Sequence, residues 1–351
     1  MNLTKLGFGS FFEQQYAQLQ QVNGIIGRVI LEHKHSYRVA TEEGEWLTTV
    51  SGNFAYNAHS RAHYPAVGDF VIVEQMPGEE KGIIHHLFER KSKFTRKMAG
   101  REIEEQIVAA NVDYVLLTMS LNADFNIRRL ERYLVAAWDS GANPVIVLTK
   151  SDVCEGVDYY TEQVETIAFG VPVFVVSALS GDGLEPLQAL LTEGVTAALL
   201  GSSGAGKSTL TNALLQTEQM KVSDIREDDA KGRHTTTHRE LVFLASGACL
   251  IDTPGMRELQ LWDQGDALGA SFHDIETYAN DCKFRDCTHT KEPGCAVRQA
   301  VETGTLEQSR LHSYFKLQKE LAFIEQKTNT DAMLAEKRKW KSVSKQLKKM
   351  K

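Results

Sequence analysis

The chain lacks any run of about 18 apolar residues, the length that a membrane-spanning helix requires. Its first residues also lack a charged segment followed by an apolar core, so they do not resemble a secretory leader. Cysteine is scarce, with five residues among 351, and this does not suggest a disulfide framework. We therefore expect a cytoplasmic protein without a membrane span.

A strong excess of positive charge is also missing, because 39 Lys and Arg residues face 46 Asp and Glu residues. This balance argues against a general binder of polyanions. Basic residues nevertheless concentrate in residues 331–351, which hold eight Lys or Arg residues and two acidic ones. Such a tail on an acidic body predicts a local anchor on a nucleic-acid backbone, and a solvated tail without a partner is the alternative.

A glycine-rich segment with the pattern GxxxxGKS lies between a predicted strand at 195–200 and a predicted helix at 209–215. The backbone N–H groups of such a loop point at phosphates, the lysine reaches the β and γ oxygens, and the serine hydroxyl binds Mg²⁺. The pattern thus predicts a nucleoside triphosphate site and leaves ATP and GTP open. The residues predicted to form it are Gly201, Ser202, Ser203, Gly204, Ala205, Gly206, Lys207, Ser208 and Thr209.

Guanine selectivity is indicated by a segment upstream of this loop. The apolar strand 144–148 runs into Thr149, Lys150, Ser151 and Asp152. A carboxylate at Asp152 can accept hydrogen bonds from both N1–H and the exocyclic N2–H of guanine, and adenine offers no such donor pair.

A third strand, 171–176, ends at Ser177 and Ala178, whose backbone can contact the guanine O6. A fourth apolar strand, 248–251, ends in Asp252-Thr253-Pro254-Gly255. There Asp252 can bind Mg²⁺ and the Gly255 N–H can contact the γ-phosphate. All of these motifs follow strands, at the ends where open α/β sheets bind ligands. The sequence therefore favours GTP.

The order of the motifs is inverted, because the guanine-reading segment precedes the phosphate loop. The succession TKxD, SAL, GxxxxGKS, a threonine-rich switch and DTPG resembles that of the circularly permuted GTPases. With its flanking domains, the chain is similar to the RsgA/YjeQ family of small-ribosomal-subunit biogenesis GTPases. The resemblance implies a GTP hydrolase that binds the small ribosomal subunit and its rRNA, assists late maturation, and is stimulated by the subunit. The chain departs from the family at Thr149, where Asn is usual, so we expect a weaker contact with the phosphate loop.

The first switch is predicted in the polar stretch 218–239, which has no apolar period. A threonine there can complete the Mg²⁺ shell when γ-phosphate is bound. The resemblance favours Thr236 for this role, with Thr235 second, and a solvated threonine run is the alternative.

Catalysis requires a group that orients the attacking water, and this chain has Met256 where many GTPases place glutamine directly after the DTPG motif. Intrinsic hydrolysis should therefore be slow. His234 and Arg257 are the nearest candidates, and the resemblance implies a switch histidine. We predict that His234, Lys207 and Thr236 carry catalysis; a solvated loop histidine is the alternative.

A metal site is predicted from three cysteines and one histidine spaced CxxxxCxHxxxxxC. Three thiolates and one imidazole complete a tetrahedral Zn²⁺ shell of the structural type. A disulfide is the alternative, and a reducing compartment favours zinc. The predicted ligands are Cys282, Cys287, His289 and Cys295. The other two cysteines, Cys154 and Cys249, lie in or beside apolar strands and are predicted to belong to the core.

The first ninety residues contain short strand patterns at 25–30, 37–40, 46–50 and 70–73, separated by glycine-containing turns. They predict a small β-barrel. The resemblance implies an OB-fold, and an SH3-like barrel is the alternative from the pattern. OB barrels bind single-stranded nucleic acid with basic and aromatic side chains. Candidates here, each of which could equally be an ordinary core or surface residue, are Arg28, His33, Lys34, His35, Tyr37, Arg38, Trp46, His59, Arg61, His63 and Tyr64.

The sequence thus predicts a multidomain protein: an OB-type β-barrel at 1–90, a circularly permuted α/β P-loop GTPase domain at 91–264, and a mostly helical zinc-binding domain with the basic tail at 265–351. Residues 92–106 are predicted as a linker and 266–278 as a helix. We expect a monomer that uses GTP with Mg²⁺ and one structural Zn²⁺. Two alternatives stay open, an ATP-dependent kinase or ATPase and a non-catalytic RNA-binding module with a vestigial nucleotide site.

Overall fold

The computed structural model describes residues 2–19, 23–33, 36–97, 105–216, 240–252 and 265–322. The chain divides into two compact units. The first comprises Met1–Arg96 and Glu105–Gln260, and the second comprises Lys97–Glu104 and Leu261–Lys351. Among the helices in the described ranges, none combines the length and the apolar character needed to cross a bilayer.

The first unit begins with a closed five-stranded barrel. Its strands follow one another around the barrel in the order β1-β2-β3-β5-β4, and β4 pairs back onto β1. Strands β3 and β5 are parallel, and the other neighbours are antiparallel. This arrangement confirms the predicted OB-type barrel over the SH3-like one. The strands are β1 Ile25–His33, β2 Ser36–Thr41, β3 Gly44–Val50, β4 Phe70–Gln75 and β5 Lys81–Leu87.

Two short helices accompany the barrel. Helix α1, Ser10–Gln18, buries Phe12 against Phe70, with ring centroids 4.4 Å apart. Helix α2, Gly52–Asn57, begins after Ser51, whose hydroxyl accepts a hydrogen bond from the backbone N–H of Phe54. A 3₁₀ turn at Arg61–His63 then leads toward β4.

The second sheet of this unit is α/β in character. Its order is β10-β9-β8-β11-β13-β12, and all neighbours are parallel except β12 and β13. The strands are β8 Tyr114–Ser120, β9 Asn143–Thr149, β10 Val173–Val175, β11 Thr196–Gly201, β12 Glu240–Phe243 and β13 Cys249–Asp252. The helices are α3 Ile127–Asp139, α4 Val157–Glu165, α5 Leu184–Leu190 and α6 Lys207–Leu215.

This sheet is buried on both faces, because its central strands are apolar runs whose successive side chains alternate between the faces. In β8, Leu117 packs in the cluster that contains Leu130 and Leu134 of α3. Leu116 belongs to the opposite cluster, which contains residues of α5 and α6. The sheet thus holds the loops at its strand ends on a rigid scaffold.

A backbone pairing joins the barrel to the α/β sheet. Strand β1 pairs with β12 at Leu31 and Glu240, which makes one hydrogen-bonded sheet of eleven strands. Strands β6, Lys93–Lys97, and β7, Glu105–Ala110, form a separate two-stranded sheet. The segment predicted as a linker is therefore partly β-structure.

The junction encloses Arg28, which is fully buried. Its guanidinium donates to the carbonyl oxygens of Leu6 at 2.6 Å, Gly68 at 3.2 Å and Asn111 at 3.4 Å. It also donates to the Sγ atom of Cys249 on β13 at 3.4 Å. Burial lowers the pKa of Arg28 and raises the pKa of the Cys249 thiol. One side chain thus links the N-terminal segment, the loop before β4 of the barrel, the residue that follows β7, and strand β13 of the α/β sheet.

This burial corrects part of the predicted RNA-binding surface. Arg28 is 0% exposed, Tyr37 6% and Trp46 3%, so none of the three can stack on or neutralise an external ligand. Tyr37 and Trp46 face the barrel interior, where they pack with Val29 and Val71. Among the remaining candidates, the exposed ones are Arg38, His59, Arg61 and His63, those of intermediate exposure are His33 and Tyr64, and Lys34 and His35 lie outside the described residues.

The second unit is helical. Its helices are α7 Gly265–Ser271, α8 His273–Ala279 and α9 Ala296–Glu302, and residues 308–322 are also helical. The helix predicted over 266–278 is thus interrupted at Phe272, which is fully buried. The guanidinium of Arg310 lies 4.2 Å from the Phe272 ring centroid and forms hydrogen bonds of 3.0 and 3.1 Å with the Asp274 carboxylate. This ion pair therefore packs against the buried Phe272 ring in the small core of the second unit.

We predict that Arg28→Leu lowers the free energy of unfolding of the first unit by about 3 kcal/mol or more, because several buried carbonyls lose their donor. Urea unfolding followed by circular dichroism measures this change. Arg38→Leu, at an exposed position on the neighbouring strand, is the matched control and should change stability by no more than about 0.5 kcal/mol. Equal effects of the two substitutions would contradict a special role for the buried guanidinium.

Candidate functional site

The phosphate loop connects the end of β11 to the start of α6. Gly204 and Gly206 have φ angles of 77° and 81°, a left-handed conformation that glycine adopts without strain. A Cβ atom on Gly201 would lie 2.4 Å from the Thr118 carbonyl oxygen of the neighbouring strand. Three glycines of the motif are therefore required by the backbone itself.

Lys207, at the first position of α6, folds back across this loop. Its Nζ donates to the carbonyl oxygens of Gly201 at 2.7 Å and Ser202 at 2.6 Å. The ammonium group therefore lies among the loop's own backbone groups, where it can meet a phosphate bound by the loop. Ser208 and Thr209 follow in the first turn of the helix.

The two segments predicted to read guanine lie side by side. Lys150 has a φ of 62° and leads into a 3₁₀ turn at Ser151–Val153, on which Asp152 is exposed. The backbone N–H of Ser151 donates to the Val176 carbonyl oxygen at 3.3 Å, directly before the Ser177 segment. Ser177 is buried, and its Oγ accepts a hydrogen bond from the Ser180 N–H at 3.2 Å. Ala178 follows it with intermediate exposure.

Thr149 connects these segments to the phosphate loop. Its hydroxyl donates to the carbonyl oxygen of Ala205 at 2.7 Å, and its side chain is almost fully buried. The residue that departs from the family pattern therefore still makes a direct hydrogen bond to the loop. That this bond is weaker than one from Asn stays a prediction.

A further contact to the loop was not predicted from the sequence. The Ser202 hydroxyl donates to the Asp124 carboxylate at 2.6 Å, and the Arg129 guanidinium lies 2.9 Å from the same carboxylate oxygen. Asp124 follows β8 and stands just before Asn126, which caps α3. An aspartate in a loop between a strand and a helix is typical of a turn, so nothing in the local sequence marks Asp124 as a contact of the phosphate loop.

Strand β13 ends at Asp252, beside β11, whose last residue begins the phosphate loop. Because the two strands are parallel, their carboxyl ends lie at the same edge of the sheet. The other residues predicted for the switch regions lie outside the described residues: His234, Thr235, Thr236, Gly255, Met256 and Arg257.

The predicted metal ligands of the second unit converge. One ligand atom from each of Cys282, Cys287, His289 and Cys295 lies within 4.8 Å of every other. The Nδ1 atom of His289 is 3.6 Å from Cys282 Sγ and 3.5 Å from Cys295 Sγ, and these two sulfurs are 3.9 Å apart. All three cysteines are free thiols, so the disulfide alternative is not realised.

These separations fit a zinc ion. Tetrahedral bonds of about 2.3 Å to sulfur and about 2.0 Å to nitrogen place two sulfurs about 3.8 Å apart, and sulfur and nitrogen about 3.5 Å apart. The Cys₃His donor set is one that structural zinc sites use. The cluster is thus compatible with zinc in both chemistry and spacing.

The turn that carries His289 is held by Glu292. The Glu292 carboxylate accepts hydrogen bonds from the Thr288 hydroxyl and from the backbone N–H groups of Thr288, Thr290 and Lys291. These bonds, led by the one from the Thr288 side chain, lower the pKa of Glu292 to about 2. His289 has a φ of 58°, an unusual backbone conformation for a residue with a side chain. Glu292 therefore stabilises the strained turn from which the imidazole projects.

Comparison with protein families gives two matches. The model described as RsgA GTPase matches residues 87–262, which include Asp152, Ser177 and the phosphate loop. A model described as ABC transporter matches residues 184–351. That range contains the phosphate loop, which ATP- and GTP-binding proteins share, and excludes the guanine-reading segments.

Curated relatives match nearly the whole chain. The protein named Small ribosomal subunit biogenesis GTPase RsgA 1 of Oceanobacillus iheyensis is 46% identical over 344 residues, covering 96% of this chain and 98% of that protein. The protein of the same name from Listeria innocua is 47% identical over 348 residues, covering 99% and 97%.

Solved structures show the same similarity. YjeQ from Thermotoga maritima is 29% identical with a TM-score of 0.63, and the match covers 85% of this chain and 98% of that one. YloQ, described as a circularly permuted GTPase, is 26% identical with a TM-score of 0.61, covering 87% and 98%. The chain is thus similar to a solved structure that is itself described as circularly permuted.

We predict that Thr149→Val speeds GDP dissociation about three- to tenfold, because the buried Ala205 carbonyl loses its hydroxyl donor while side-chain volume is kept. Stopped-flow fluorescence with a labelled GDP measures the rate. Thr149→Ser keeps the hydroxyl and is the control, for which we expect a rate close to that of the unmodified protein. A valine variant that releases GDP at the unmodified rate would show that this hydrogen bond does not shape the loop.

For the metal cluster, we predict that the purified protein holds one zinc per chain and that Cys287→Ser loses it, because a three-ligand shell binds zinc more weakly. Elemental analysis after gel filtration gives the stoichiometry. Cys154→Ser, at a cysteine remote in sequence from the cluster, should retain the metal. Full zinc content in Cys287→Ser would remove that thiol from the ligand set.

Proposed function

The chain belongs to the RsgA GTPase family and is a GTP-hydrolysing enzyme, and from this premise we propose that it binds the small ribosomal subunit, assists its late maturation, and is stimulated by it. The observation that carries this proposal is the similarity to relatives named small ribosomal subunit biogenesis GTPases, at 46% and 47% identity over almost the full length of both chains. Such coverage includes the barrel and the metal cluster as well as the GTPase domain.

Within the GTPase domain, 91–264, we assign guanine recognition to the carboxylate of Asp152 and the backbone of Ser177 and Ala178. The adjacency of these two segments and the Thr149 contact with the phosphate loop support the assignment. Lys207 and the loop's N–H groups bind the phosphates. The proposed Mg²⁺ ligands are Ser208, Thr236 and Asp252, with Gly255 contacting the γ-phosphate.

For hydrolysis we assign His234 to orient the attacking water, because Met256 cannot do so and family resemblance implies a switch histidine. Lys207 and Thr236 stabilise charge on the transferring phosphoryl group, through the ammonium and through Mg²⁺. This assignment of roles predicts that intrinsic GTP hydrolysis is slow and that its rate rises when a partner orders the switch. The subunit is the partner that we propose.

We assign subunit contacts to three parts of the chain: the barrel domain, 1–90; the zinc domain within 265–351, whose single structural Zn²⁺ would stabilise its small core; and the basic tail, 331–351. The barrel presents Arg38, Arg61 and two histidines on its surface. Basic groups bind the rRNA backbone through charge, and this predicts weaker binding at higher salt. The protein would act as a cytoplasmic monomer.

Single-turnover GTP hydrolysis with and without purified small subunits tests the proposal. We expect subunits to raise the rate by about 10²-fold or more, and His234→Ala to remove this stimulation, because general-base positioning contributes on that scale. GDP affinity of the variant should stay unchanged. The control is Glu162→Ala, at an exposed position on α4, outside the parts of the chain assigned to subunit contact.

The outcomes separate the parts of the proposal. Intrinsic hydrolysis without any stimulation by subunits would overturn the proposed partner and leave the GTPase intact. A parallel loss of GDP affinity and stimulated turnover in His234→Ala would overturn the catalytic assignment alone.

A further inference from the structure

The phosphate loop is bonded to side chains at two separate points, and both side chains come from the part of the chain that precedes it. Thr149 holds the carbonyl of Ala205 at the far end of the loop. Asp124 holds the hydroxyl of Ser202 at the near end. The second contact is not part of the nucleotide motifs.

Asp124 is itself held in a charged network. The Arg129 guanidinium donates to Asp124 Oδ1 at 3.2 Å through Nη1, and its Nη2 lies 2.9 Å from Oδ2 and also donates to the Asp124 backbone carbonyl. Arg129 is fixed in turn, since it lies in the first turn of α3, where its backbone N–H donates to the capping Asn126 side chain. The carboxylate is therefore directed at Ser202 by a guanidinium anchored to a helix.

The placement of Asp124 has an electrostatic consequence. A carboxylate in contact with a loop that binds phosphates would repel them, unless a cation offsets its charge. Arg129 supplies that cation at contact distance. The network thus gives the loop a strong hydrogen-bond acceptor without adding net negative charge beside the nucleotide.

The orientation of the Ser202 side chain matters because its own backbone is part of the phosphate site. The Ser202 carbonyl accepts a hydrogen bond from the Lys207 ammonium at 2.6 Å. Fixing Ser202 through its hydroxyl therefore also fixes the position at which Lys207 rests. Loss of the Asp124 contact should disturb both the loop and its lysine.

We propose that Asp124 is a positioning residue of the nucleotide site: its carboxylate, neutralised by Arg129, holds Ser202 and keeps the phosphate loop in its binding conformation. This inference rests on the assignment of the phosphate loop to nucleotide binding and is independent of the ribosomal partner. It concerns the affinity for phosphates and not the choice of base.

A double-mutant cycle tests the Ser202–Asp124 contact. We expect Ser202→Ala and Asp124→Ala each to speed dissociation of a fluorescent GDP about three- to tenfold, and the double variant to be no worse than the stronger single one. Asp124→Asn retains an acceptor oxygen for the hydroxyl and should stay within about twofold of the unmodified protein. Asp158→Ala, at an exposed acidic position in the first turn of α4, is the control and should leave dissociation unchanged.

A rescue experiment tests the role of Arg129. Arg129→Gln leaves the Asp124 charge uncompensated, so it should weaken binding of a non-hydrolysable GTP analogue more than that of GDP, and less so at high salt. Adding Asp124→Asn to this variant removes the repelling charge and should restore the affinity. A loss of packing alone would not be rescued in this way.

Two results would overturn the proposal: multiplicative effects of Ser202→Ala and Asp124→Ala on the dissociation rate, or an Arg129→Gln defect that Asp124→Asn does not relieve. Thermal melts of each variant identify any that fail to fold. A failure of the nucleotide-site assignment itself would be a separate outcome. In that case the unmodified protein would bind no fluorescent GDP.

Discussion

The hydrogen bond from the Thr149 hydroxyl to the Ala205 carbonyl joins the two halves of the nucleotide site. One half carries the segments that we propose to select the base, and the other is the loop that we propose to receive the phosphates. The bond spans 56 residues of sequence, and it forms because β9 and β11 both end at the same edge of one parallel sheet. The geometry of the whole site depends on this edge, since every predicted nucleotide contact in the described residues lies at the end of a strand, in the loop that follows it, or in the first turn of α6.

Circular permutation changes the order of the chain and leaves this edge intact. The strands that carry the guanine-reading segments, β9 and β10, come before β11 in sequence but lie on one side of it in the sheet. Packing between neighbouring strands and helices stabilises such a sheet. These contacts do not depend on the order in which the strands follow one another along the chain. The consequence here is that residues from the early part of the chain, Asp124 and Thr149, form the walls against which the later phosphate loop is placed.

Local patterns sufficed to predict the strand–loop–helix context of the phosphate loop and the cysteine and histidine cluster, because each is encoded within a short stretch of sequence, and regularly spaced short strand patterns sufficed to predict a barrel. That the segments after β9 and β10 read guanine stays a prediction. The fifth barrel strand, Lys81–Leu87, was not identified, since a glycine and two adjacent histidines interrupt its alternation. Arg28 was a candidate for nucleic-acid binding, and its burial could not be predicted because its partners are remote, at sequence separations of 22, 40, 83 and 221 residues. Asp124 was missed for the same reason, because Ser202 is 78 residues away.

The pairing of β1 with β12 connects two regions that the sequence predicts as separate domains, the barrel and the GTPase domain. Strand β12 begins at Glu240, immediately after the stretch that contains the predicted first switch, and that residue is itself in register with Leu31 of the barrel. On its other side β12 pairs with β13, which runs toward the DTPG motif. Strand β1 of the barrel is therefore connected through β12 to β13, and a displacement of the barrel strand would reach the ends of both strands through backbone hydrogen bonds.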